Sequence, residues 1–119
     1  MAGNATIIDY LEAGIKGAGI RQAAIANNIA NIGTPGYRRM AVEFERRLAG
    51  AMADGKSVDA EELAKEVMRP KTTPVDANGN DVMLEMEIGE MLKNTSMQKT
   101  YLRLLARTYR KMESAMSLR

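Results

Sequence analysis

Both ends of this 119-residue chain carry long runs in which apolar residues return at alternating spacings of three and four. In the first run, Ile8, Leu11, Ile15, Ala18, Gln22, Ile25, Ile29 and Ile32 keep the rhythm, which turns polar only at Gln22. In the last, Ile88, Met91, Thr95, Gln98, Leu102, Leu105, Tyr109, Met112 and Met116 repeat it, and Leu84, Leu92, Tyr101 and Leu104 widen the apolar face. This is the spacing of a heptad seam, which needs a partner helix to cover it. The pattern predicts a first helix from about Ala5 to Asn31, opened by Thr6 and Asp9 at capping-box spacing. It predicts a last helix from Val82 nearly to Ser117, roughly 50 Å long at the α-helical rise. The expected fold is mostly all-α. Long N- and C-terminal heptad helices pack as an antiparallel helical pair, a coiled coil, around a compact middle of short helices and loops.

The interior of that pair must be built from small parts. The chain has no tryptophan, one phenylalanine and ten methionines, so flexible thioethers take over much of the usual aromatic load. Gly14, Gly17 and Gly19 lie inside the first helix, each costing about 1 kcal/mol relative to alanine. The glycines make sense where tight packing supplies the missing stability, so the arm is expected to be disordered or fraying in the monomer and helical in an assembly. Tyr37 to Met52 reads as a short amphipathic helix with Met40, Phe44 and Leu48 on one face. After a turn at Ala53–Lys56, Asp59 and Glu62 mark another helix start, with Leu63 and Val67 carried toward Pro70, and residues 72–81 form a loop. One domain is expected: 1–33 the N-terminal helix, 34–81 the turn, short helices and loop, and 82–119 the C-terminal helix.

Several kinds of chemistry are excluded by composition. With no histidine and no cysteine, the usual general base, thiol chemistry and most zinc sites are missing. Glu85, Glu87 and Glu90 are expected on the exposed start of the last helix, where the helix dipole favours acids. No enzyme activity, metal or cofactor is expected. No apolar run approaches the roughly 20 residues that cross a bilayer, and the opening Met1–Thr6 lacks the basic-then-apolar order of a secretory signal. Net charge is only +2, but Lys99, Arg103, Arg107, Arg110, Lys111 and Arg119 face the single acid Glu113, while acids outnumber bases between Asp54 and Glu90.

The most specific stretch runs from Ala26 to Arg38. Asn27 and Asn31, one turn apart, offer amides to nearby backbone and favour a helix end. Gly33 stands where a left-handed cap would fall. Thr34 is pushed toward an extended conformation by Pro35, and Pro35-Gly36 suits the centre of a type II turn with positive φ at Gly36. Asn27, Asn28, Ala30, Asn31, Thr34, Pro35, Gly36 and Tyr37, taken together, resemble the signature of the flagellar axial proteins, the rod, hook and hook-associated family of the bacterial flagellum. Within that family the short length and the run Asn78-Gly79-Asn80-Asp81-Val82 are most similar to the proximal rod branch. Gln98 stands where the family commonly has an aromatic residue, with Tyr101 one turn later.

The resemblance implies a structural subunit of the proximal rod, the drive shaft that passes torque to the hook and filament. It implies partners among other rod subunits, the inner-membrane ring and rod-adaptor proteins. It also implies passage through the flagellar type III export apparatus to a periplasmic rod without a cleaved signal peptide. Ile8, Leu11, Ile15, Ile25, Ile29, Leu102, Leu105 and Met112 are then the candidate assembly seam. Two other readings compete: a different axial subunit (rod or hook-junction), and a small helical nucleic-acid-binding protein using Arg103, Arg107, Arg110 and Lys111. No aromatic interleaving accompanies those bases, and nucleic acid is not the expected partner.

Overall fold

Thr6 starts the first helix by a reciprocal cap: its hydroxyl accepts from the Asp9 N–H at 3.3 Å, and Asp9 Oδ2 accepts from the Thr6 N–H at 2.8 Å. Helix α1 then runs Ile7–Ala30. The computed structural model describes residues 5–117; residues 1–4, on which most of the signal-peptide expectation rests, and Arg119 of the basic tail lie outside the described residues. α1 ends without the left-handed cap expected at Gly33, whose φ is not positive. The Asn31 side chain instead donates to the Asn27 carbonyl at 2.8 Å, and a tight turn follows. The next turn is as expected. Gly36 takes φ +75°, and the Tyr37 N–H donates to the Thr34 carbonyl at 3.2 Å.

The segment after the turn is extended rather than helical. Strand β1, Ala41–Val42, pairs antiparallel with β2, Val67–Met68, setting Ala41 opposite Met68 and Val42 opposite Val67. Helices α2, Glu45–Asp54, and α3, Ala60–Ala64, lie between the strands. The shared helix face expected for Met40, Phe44 and Leu48 is therefore not formed. Met40 and Phe44 precede α2, and a spacing of four satisfies the two-residue period of a strand as well as the helical one. Val42 and Phe44 point inward and Glu43 outward, which is the strand period. The same ambiguity applies to Leu63 and Val67: Leu63 closes α3 into the core, and Val67 already belongs to β2. Asp59 does cap α3, accepting from the Glu62 N–H at 2.9 Å.

Helix α4 spans Leu84–Ser117 and lies antiparallel along α1, giving the expected pair. Asn28 meets Glu87, Ala18 meets Asn94, and Gly14 meets Tyr101. The molecule is 67 Å long and 27 by 17 Å across. α1 packs on both α4 and the middle segment, where Tyr10, Ala13, Ala24, Val42, Phe44, Leu48 and Leu63 form one core. Two of the helix glycines are explained by this packing. A Cβ at Gly17 would sit 2.5 Å from the Phe44 ring, and one at Gly14 would sit 2.8 Å from the Tyr101 ring. The propensity cost of these glycines is thus offset within the subunit, by the ring that enters each gap. Among the described residues no helix is long and apolar enough to cross a membrane.

Gly19 is different, because a Cβ there meets nothing within 4 Å. Replacing it by alanine should stabilise the isolated chain by about 0.5–1 kcal/mol. Gly17→Ala should destabilise by about 1–3 kcal/mol, because Phe44 is fully buried and cannot step aside. Urea unfolding of the two single variants checks the opposite signs.

Candidate assembly surface

At the junction of α1 and α4, the Ala26–Arg38 stretch becomes a set of hydrogen bonds. Asn28 is fully buried and serves three elements. Its Nδ2 donates to Glu87 Oε1 at 2.7 Å and to the Met40 carbonyl at 2.8 Å, and its Oδ1 accepts from the Met40 N–H at 2.8 Å. The Tyr37 hydroxyl donates to that Oδ1 and accepts from Asn27 Nδ2, both at 2.9 Å. Thr34 donates its hydroxyl to Asn31 Oδ1 at 3.0 Å. From the loop before α4, Asn80 Nδ2 donates to the carbonyls of Asn31 and Thr34 at 2.9 and 2.8 Å, so this buried amide ties the turn to the other chain end.

Charge is buried beside this network in matched pairs. Arg39 Nε donates to Glu87 Oε2 at 2.9 Å, with the Glu87 side chain fully enclosed. Asp81, also enclosed, accepts from the Arg39 N–H and from Arg38 Nε at 3.0 Å. Arg69 donates to the Arg38 carbonyl and covers the Tyr37 ring, 5.1 Å from its centroid. Among the described residues every buried side-chain nitrogen and oxygen has a partner. Glu87 therefore overturns the expectation of an exposed first-turn carboxylate. Helix position alone suggested solvent, but Arg39 and Asn28 converge on it from the other side.

Farther along, a second polar layer sits between the helices. Asn94 Nδ2 donates to the Ala18 carbonyl at 2.8 Å and to Gln22 Oε1 at 3.1 Å. Arg21 donates to the Val42 carbonyl at 2.9 and 2.7 Å, pairs with Glu45, and lies over the Phe44 ring at 4.6 Å. Burial pushes the Glu45 carboxyl up, but the Arg21 and backbone hydrogen bonds and the Arg21 and Lys93 charges outweigh it and hold the group below its ordinary 4.5. Burial, helped by the Glu45 charge and opposed by Arg21, raises the Tyr101 hydroxyl above its ordinary value.

The predicted seam residues fall into two groups. Leu11 and Ile25 are buried by their own chain, and Ile8, Ile15, Ile29 and Leu105 are half-buried, whereas Leu102 and Met112 are largely exposed. Of the signature residues, Asn28 is enclosed, Tyr37 and Asn31 are half-buried, and Asn27, Ala30, Thr34, Pro35 and Gly36 are exposed. The helix surface turned to α1 is the line Glu87, Asn94, Tyr101 and Thr108. One residue on in each case, Ile88, Thr95, Leu102 and Tyr109 form a second line. Both repeat every seven residues. The first was hidden from sequence reading because its polar members look like solvent positions. Its seven-residue spacing was the available signal.

Two comparisons bear on this arrangement. The sequence model of the family described as "Flagella basal body rod protein" matches residues 14–38, which end in the turn and contain Asn28. The flagellar basal body rod protein FlgB of Bacillus subtilis (strain 168) is 32% identical over 96 residues, covering 73% of this chain and 74% of that protein.

Breaking half of the buried pair should be costly. Glu87→Ala leaves Arg39 enclosed without a counter-charge and should destabilise by about 3–5 kcal/mol, whereas the double variant Glu87→Leu/Arg39→Met should recover most of that loss. Chemical unfolding of the two variants measures the difference. At the turn, Gly36→Val forces a β-branched residue to positive φ and should cost about 2 kcal/mol. Tyr37→Phe removes a hydroxyl that both donates and accepts, so it should cost about 1 kcal/mol rather than nothing. Thermal denaturation of the two variants tests that ordering.

Proposed function

This chain belongs to the flagellar basal body rod protein family, and from that premise we propose how it serves as a structural subunit of the rod. The observation that carries the reading is the second heptad line of α4. After α1 and the middle segment have packed, Ile88, Leu102 and Tyr109 remain 43%, 49% and 49% exposed, and Leu84 and Leu92 extend the same strip. A folded subunit with an exposed line along a long helix, apolar except at Thr95, is suited to take the helices of its neighbours. Half-buried Ile8, Ile15 and Ile29 border the α1–α4 groove and widen the surface.

The subunit acts by position and stiffness. Torque passes through packed helices, and no catalytic group takes part. Its location is the flagellar basal body, in the periplasmic part of the rod. Its neighbours are other rod subunits and the inner-membrane ring and rod-adaptor proteins, reached by export through the flagellar type III apparatus. Family membership favours this over the nucleic-acid reading, and the bare basic face of α4 has no interleaved aromatic rings to argue otherwise.

The experiment should spare the subunit's own core. Ile25 is only 3% exposed, so an aspartate there would unfold the subunit and report nothing about assembly. Ile88→Asp/Leu102→Asp changes exposed positions instead. The variant should keep wild-type helicity and stability within about 1 kcal/mol, be produced and exported, and yet fail to enter basal bodies. Complete rods and normal swimming with this variant would show that the second line is not an assembly surface.

A further inference from the structure

The two flanks of the molecule at one end carry opposite charge. On α4, Arg103, Arg107 and Arg110 lie two, six and nine residues beyond Tyr101, which places them across the helix from the ring that meets Gly14. Lys99 and Lys111 extend the basic face, and among the described residues none of these five bases pairs with an acid of its own chain. Leu104, 40% exposed, adds an apolar contact to that face.

The middle segment supplies the other flank. Its α2–α3 turn is fastened beside the start of α1, where the Ala5 N–H donates to the Gly55 carbonyl at 3.2 Å and the Tyr10 hydroxyl to the Ala51 carbonyl at 3.3 Å. The antiparallel pairing sets the start of α1 against the Tyr101–Thr108 stretch of α4, so both flanks lie at the same level of the long axis. From Asp54 to Glu66 the flank presents Asp54, Asp59, Glu61, Glu62 and Glu66 against Lys56 and Lys65, with Arg46 and Arg47 of α2 lining the cleft beside Asp54 and Glu62. Glu62 and Glu66 are only loosely engaged by Arg47, at 3.7 and 4.0 Å, and Asp54 and Glu61 are exposed and form no ion pair. Exposed Met52 sits beside them.

We propose that the basic outer face of α4 docks sideways onto the acidic α2–α3 flank of a second copy of this chain. Leu104 and Met52 supply apolar contact between the two charged faces. Because the two faces are different, the contact is heterologous: each copy uses both, and repetition closes a ring or climbs as a helix. Complementary charge fixes which faces meet and at what height, while the second heptad line of α4 stays available for other helices. This inference rests on the rod reading and adds to it one lateral contact, with its polarity and partner.

Sedimentation equilibrium of the full chain at low and high salt tests the idea, using Arg107→Glu/Arg110→Glu and Asp54→Lys/Glu61→Lys. All four side chains are exposed, so circular dichroism should match the wild type. The wild type should self-associate at low salt and dissociate as salt screens the contact. Each variant alone, with like charge on both faces, should associate at least about tenfold more weakly. An equimolar mixture of the two should regain the wild-type constant, since each variant's altered face now complements the other's. A monomeric wild type at low salt, variants that associate as well as the wild type, or a mixture no tighter than its components would each overturn the proposal. In cells the two readings separate. Variants that fail to associate yet restore swimming to a deletion strain would sink the lateral contact alone. A deletion strain that swims normally would sink the rod reading itself.

Discussion

The buried pair between Arg39 and Glu87, with Asn28 wedged against it, sets the geometry of the whole subunit. One bond set spans the end of α1, the segment entering β1 and the first turns of α4. A buried ion pair gives little net stability over a well-packed apolar pair, because desolvation offsets most of the attraction. Its value here is directional. Glu87 has hydrogen bonds from only one arrangement of Arg39 and Asn28, so a helix pair displaced along its axis would bury bare charge. Asp81 and Asn80 repeat the logic on the loop side, where they fasten the turn through backbone groups.

Away from this clasp, the pair is held by shape. A chain with one phenylalanine and no tryptophan has few bulky groups to fill an interior, and it uses them where glycine makes room. Phe44 enters the gap at Gly17, and Tyr101 enters the gap at Gly14. Arg21 lies over Phe44 and links α1 to β1 and α2. Asn94 adds a polar layer that pairs correctly with Ala18 and Gln22 in one register.

The terminal helices, the caps at Thr6 and Asp59, and the Pro35-Gly36 turn were legible because each follows from local rules of spacing, capping and permitted φ. The β1–β2 ladder was not. Its strands are two residues long, and spacings of four at Met40–Phe44 and Leu63–Val67 satisfy helix and strand alike. At the candidate surface, the signature marked Asn28 and Tyr37 as special but could not name their partners. Glu87 and Asp81 are 59 and 44 residues away from Asn28 and Tyr37 respectively in order of chain position, too far for any local pattern to connect them. Gly33 failed as a cap because an asparagine side chain closed the helix in its place.

The antiparallel pairing also has a consequence in time. α4, which covers one side of α1, lies far along the chain from it, so the middle segment must be made before that side of the first helix finds its seat. Contacts such as Ala18 with Asn94 close very long loops, which makes them late and slow to form. Until then α1 has its glycines but not the ring that fills Gly14, and its helix is worth little by itself. The middle segment can begin earlier, since Phe44, Leu48 and Leu63 lie close together in the chain. Synthesis therefore passes through a stage in which α1 can meet the middle segment, Gly17 against Phe44, while its other side, with Gly14 and Asn28, waits for α4.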